Sequence, residues 1–124
     1  MGRIENVEGV RICGTEEPQY HRLMGFGGWR VAMINHGPKF AAGNLTYVER
    51  HRETDEVFVL IEGDATLIIG TELKRISLRR GMAYDVERNT WHQLETQPGA
   101  KLLLVENDDT GPGNSDRLEI GEAR

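Results

Sequence analysis

The feature that most constrains this chain is its punctuation. Short runs rich in β-branched and aliphatic residues alternate with glycine-containing turns, and no long stretch carries apolar residues at a helical period. Residues 29–35, 46–52, 56–61, 65–69, 73–78, 82–86, 91–95 and 101–106 read as strands. They are separated by turn formers such as Ala42-Gly43-Asn44, Glu62-Gly63-Asp64 and Gln97-Pro98-Gly99. Strands recurring about every 8–12 residues indicate a sandwich or barrel rather than alternating strand and helix. An all-β fold is therefore expected.

A chain of 124 residues fits one domain able to bury a single core without staples. Residues 1–27 are read as an extended, glycine-rich segment wrapping the barrel, 28–107 as the barrel, and 108–124 as a tail able to add an edge strand at 116–120 or cross to a partner. Cys13 is the single cysteine, so no intrachain disulfide forms and no thiolate cluster can hold a metal. The longest apolar runs are only a few residues, too short to span a bilayer, and the first residues lack the apolar stretch of a signal peptide. A cytoplasmic protein without a membrane partner is the expectation. Acidic residues outnumber Lys plus Arg by 20 to 15, a net charge of −5, so nucleic acid is not an expected partner. Lys74, Arg75, Arg79 and Arg80 read as a solvated strand edge.

Side chains two apart on a strand share a face. Tyr47, Glu49 and His51 therefore point together, and on the next strand Glu56 leads a face continued by Phe58 and Leu60. If His51 and Glu56 both face inward, two or three polar groups converge in an apolar interior that tolerates them only when compensated. A divalent cation compensates them; so does a dense hydrogen-bond network. His92 adds an imidazole if it shares the inward face of Leu94. Val57, Val59 and Ile61 make the opposite face of their strand apolar too, which suggests cover on both sides and hence a homodimer. His21 and His36 read as surface or loop histidines, Asp55 as an ion-pair partner of Arg52, and Trp91 as pointing outward.

Two blocks of the chain resemble the cupin superfamily. The family's first motif runs Gly-x5-His-x-His-x(3,4)-Glu-x6-Gly, and here Gly43, Glu49, His51, Glu56 and Gly63 keep its spacing, with Glu49 where the first histidine belongs. The second motif, Gly-x5-Pro-x-Gly-x2-His-x3-Asn, retains Gly81 and His92, while Glu87, Asn89 and Thr96 replace its Pro, Gly and Asn. The resemblance implies a small single-domain cupin-type β-barrel, a double-stranded β-helix of jelly-roll character. Carried over by position, it implies that His51, Glu56 and His92 are metal ligands. Glu49 is then either the fourth ligand or an unligated catalytic base. Two histidines and two carboxylates suit one divalent transition metal among manganese, iron, nickel, cobalt and zinc. Tyr47, Phe58 and Leu94 are the expected lining of a substrate pocket.

Two functions remain open on this reading. One is a metal-dependent enzyme acting on a small oxygenated metabolite such as a sugar or keto acid, of isomerase, lyase or dioxygenase class. The other is a non-catalytic module that binds a small molecule in the same pocket and requires no metal.

Overall fold

The computed structural model describes residues 2–121, with side chains from residue 7 onward. In chain order the strands are β1 (Gly2–Val7), β2 (Val10–Gly14), β3 (Gln19–Phe26), β4 (Trp29–Asn35), β5 (Tyr47–His51) and β6 (Glu56–Glu62). They continue with β7 (Ala65–Ile69), β8 (Lys74–Ser77), β9 (Ala83–Val86), β10 (His92–Thr96), β11 (Lys101–Asn107) and β12 (Ser115–Glu119). One sheet runs β12-β5-β10-β7-β8 and the other β3-β4-β11-β6-β9, with every pairing antiparallel. The all-β architecture expected from the punctuation is observed, with the jelly-roll character that the family resemblance implies.

Alternation along β11 shows how the sequence builds the interior. Leu102 and Leu104 are 0% and 1% exposed, whereas Leu103 and Val105 face away from the core. Leu102 lies opposite Ile34 on β4 and Leu60 on β6, and Leu104 opposite Ala32 and Phe58. Leu67 and Leu94 from the other sheet complete the same cluster. Each such side chain taken out of water contributes about 1.5–3 kcal/mol. Gly63 turns β6 into β7 with φ of +71°, and a Cβ there would come 2.7 Å from the Cα of Ala100. Only glycine fits this corner without moving the backbone.

The ends of the chain are integrated differently. Residues 1–27, read from sequence as a wrap, comprise the β1–β2 hairpin followed by β3, which pairs along its length with β4. The tail contributes β12, an edge strand paired residue for residue with β5 from Ser115↔His51 to Glu119↔Tyr47. Asp116 fixes it there by ion pairs to Arg50 and Arg52, and its carboxyl is held below the usual range chiefly by the Arg50 hydrogen bond, with Arg52 adding to it against a smaller effect of burial. Arg52 is thus taken by Asp116, and Asp55 instead accepts the backbone N–H of Arg88.

His21 lies on β3, its Nε2 2.8 Å from the Pro18 carbonyl, while His36 sits beyond β4 with Nδ1 2.8 Å from Thr96 Oγ1. Trp91 carries the Arg50 guanidinium 4.5 Å from its ring centroid. On β6, Val57 and Val59 are half-buried and Ile61 is exposed, so their face is open in the single chain. Among the described residues no helix is long and apolar enough to cross a membrane.

Candidate metal centre and pocket

The two sheets enclose an open cavity of about 530 Å³ near one end of the apolar core. Tyr47, Glu49 and His51 reach it from β5, Glu56 and Phe58 from β6, and His92 and Leu94 from β10. All seven residues read from sequence as ligands or lining therefore border one space. The pairing of His92 with Glu49 across β5 and β10 brings the two motif blocks together. The turn before β10 needs a left-handed residue, and Asn89 supplies it with φ of +66° while its N–H donates to the His51 carbonyl at 2.8 Å. Asparagine tolerates that conformation better than other side chains, so losing the motif glycine leaves the turn intact.

Glu56 sits at the centre of the polar groups. Its Oε1 is 3.2 Å from His51 Nε2 and 3.0 Å from His92 Nε2, and all three residues are buried. Burial by itself would raise the Glu56 carboxyl, but hydrogen bonds from both imidazoles and their positive charge hold it down to about 2. Burial likewise works against charging His92, and the hydrogen bond and negative charge of Glu56 overcome it and raise the imidazole above its ordinary value. Glu49 stands slightly apart, Oε1 3.9 Å from His51 Nε2, with its side chain 36% exposed.

The far nitrogens are held in place. His92 Nδ1 lies 2.9 Å from the Thr90 carbonyl, which can only accept, so that nitrogen carries a proton. His51 Nδ1 lies 2.8 Å from Ser115 Oγ on β12. Both rings thus turn Nε2 toward Glu56 and the cavity. Two atoms each about 2.1 Å from one cation stand about 3.0–3.4 Å apart at right or tetrahedral angles. The two Nε2–Oε1 separations fall in that range, and a nitrogen-and-carboxylate donor set without thiolates suits borderline divalent metals. The residues therefore fit such an ion. Ser115→Ala is expected to weaken transition-metal affinity about 10–100-fold, measured by calorimetric titration, because it frees the second nitrogen of His51.

Adjoining this cluster is a second one that the motif reading did not single out. Ligand-competent atoms of His51, Glu56 and Glu106 all lie within 4.8 Å of one another, as do those of Glu49, His51 and His92. Glu106 Oε2 accepts from the Tyr20 hydroxyl at 2.9 Å and from Arg30 Nη2 at 3.1 Å. Burial first, then the negative charge of Glu56, raises the Glu106 carboxyl despite those two donors, and burial beside Glu106 raises the Tyr20 phenol. Alternation was the available signal: Glu106 shares the face of Leu102 and Leu104, and Arg30 that of Ala32 and Ile34. Tyr20 lies in a segment with no clear period and offered none.

No protein-family model and no curated protein matches the chain. Solved structures do match it in fold. A protein of Neisseria meningitidis is 18% identical with TM-score 0.58, covering 76% of this chain and 89% of its own. A cupin-2 domain protein of Shewanella frigidimarina is also 18% identical with TM-score 0.58, over 72% and 79% of the two chains. Pac13, a Streptomyces nucleoside dehydratase, is 7% identical with TM-score 0.61, over 82% and 86%. The chain has the small, single-domain cupin fold.

Proposed function

We propose that this cupin is a metal-dependent enzyme that transfers a proton on a small oxygenated metabolite. One observation carries the reading: two buried imidazole nitrogens each lie within 3.2 Å of one carboxylate oxygen, and a second buried acid, Glu106, stands beside them on the neighbouring strand. His51, Glu56 and His92 would hold the ion, with Glu49 as the fourth group. When bound, such an ion supplies Lewis acidity toward carbonyl or hydroxyl oxygens of the substrate. Glu106 is the proton-transfer residue. Among the described residues its Oε1 takes no hydrogen bond, so that oxygen is free to accept or return a proton while Tyr20 and Arg30 steady Oε2. Phe58, Leu94 and Leu104 exclude water from the inner wall. At 7% identity the likeness to a nucleoside dehydratase concerns fold, and the chemistry proposed here rests on the site.

Elemental analysis of protein purified without a chelating tag is expected to find one transition metal per chain, and metal-free protein would overturn the reading. Deuterium uptake from heavy water into dihydroxyacetone tests the proton transfer. Glu106→Gln should slow it about 100–10,000-fold while the metal content stays unchanged; an unchanged rate would remove Glu106 from the chemistry.

The reading includes a homodimer formed through the outer face of the β6 sheet. Val57–Val105–Val31 and Val59–Leu103–Met33 lie in register across three strands there. An apolar patch on a twofold axis is complementary to its own copy. Sedimentation at micromolar concentration should give a dimer that Val105→Lys converts to monomer; a monomeric wild type would exclude it.

A further inference from the structure

The charged residues bordering the cavity do not cancel once their partners are assigned. Asp116 is taken by Arg50 and Arg52, and Glu106 by Arg30. In the metal-centred reading, Glu49 and Glu56 offset the two charges of the ion. Lys39 and Arg117 are then left, and among the described residues neither makes an ion pair. Their surroundings are aromatic: Lys39 Nζ lies 5.3 Å from the Phe40 ring centroid, and the Arg117 guanidinium carbon 3.5 Å from that of Tyr47. A guanidinium stacked at that distance keeps its in-plane N–H donors available for an acceptor.

Arg117 sits opposite Glu49 in the β12–β5 register, with Ser115 opposite His51, so it shares the cavity-facing side of the ladder with the proposed ligands. The Thr110 hydroxyl also borders the cavity and is buried without a hydrogen-bond partner among the described residues. A buried unmet donor of this kind is costly unless something supplies an oxygen.

We propose that Lys39 and Arg117 form an anion-recognising rim, so that the metabolite bound in this pocket carries a carboxylate or phosphate beside its metal-facing oxygens. The inference deepens the proposed function and rests on it for the charge of the ion. Overall the chain is acidic, with a net charge of −5, so a locally cationic mouth also directs small anions to this one opening.

The test compares three sugars of one ring size on the manganese-loaded protein by calorimetry: D-glucuronate, D-glucose 6-phosphate and D-glucose. At least one of the two anions is expected to bind about tenfold or more tightly than glucose, and whichever does identifies the charged group. Arg117→Gln and Lys39→Gln should each lower that preference several-fold, leave manganese affinity unchanged, and leave glucose binding as it was. Lys74→Gln, the same charge change on exposed β8, should leave the preference intact. Equal affinity for all three sugars, no saturable binding of either anion, or a preference indifferent to both rim substitutions would overturn the rim. Manganese is titrated separately, so a protein that binds it without preferring anions rejects the rim alone. Failure to take up manganese rejects the metal-centred reading alone, provided the anion preference and its loss in the rim variants are found in the metal-free protein.

Discussion

Replacing His92 by alanine should remove stoichiometric transition metal from the purified protein and weaken its affinity about 100-fold or more. Disturbing a residue that merely orients a ligand already costs about 10–100-fold, and in the proposed site His92 would contribute a donor atom itself, its Nε2 3.0 Å from Glu56 Oε1. The loss should also appear as stability. An ion bound only by the folded state stabilises it in proportion to the logarithm of its concentration over Kd. Added manganese or zinc should therefore raise the melting temperature of the native protein and leave that of His92→Ala nearly unmoved. Comparing the two without metal separates ligation from folding. A variant that keeps the metal-dependent rise would show that His92 is structural.

Leu102→Ala should produce the largest loss of stability for a change that leaves the cavity chemistry alone. Leu102 is 0% exposed and packs between Ile34 and Leu60, and it does not border the cavity. Truncating a buried leucine costs about 2–5 kcal/mol, the removed apolar surface and the void left behind both contributing. That is a large part of the roughly 5–15 kcal/mol that holds a domain folded. At about 4 °C per kcal/mol the melting temperature should fall by roughly 8–20 °C, with metal content at low temperature unchanged. A shift of only a degree or two would mean that neighbouring side chains close the gap, against the tight interlock seen around β11.

These two substitutions differ in how far the sequence alone points to them. His92 follows from alternation, since a period of two places it with Leu94, whereas 101–106 reads as a strand apolar on both faces, so its sequence does not choose Leu102 over Leu103 as core. Motif spacing brought Glu49, His51 and Glu56 into consideration because strand, turn and strand separate them by fixed distances along the chain. Glu106, Arg30 and Tyr20 lie on β11, β4 and β3, in the same sheet as Glu56, and the spacing within the motif blocks does not reveal that β11 pairs with β6 and sets Glu106 beside Glu56. Ser115 was hidden for a similar reason. Its hydrogen bond to His51 spans 64 residues, and the tail was equally compatible with a strand in this subunit or in another. Asp55 is the simpler case, where proximity in sequence suggested Arg52 and the β12 carboxylate outcompeted it.

The docking of β12 beside β5 has a bearing on biosynthesis. His51 leaves the ribosome long before Ser115, so throughout translation of the intervening strands one of its ring nitrogens lacks the hydroxyl that orients it. If the proposed metal site is right, efficient loading of an ion is tied to the arrival of the closing strand, and nascent chains stalled before it would be poor scavengers of cellular metal.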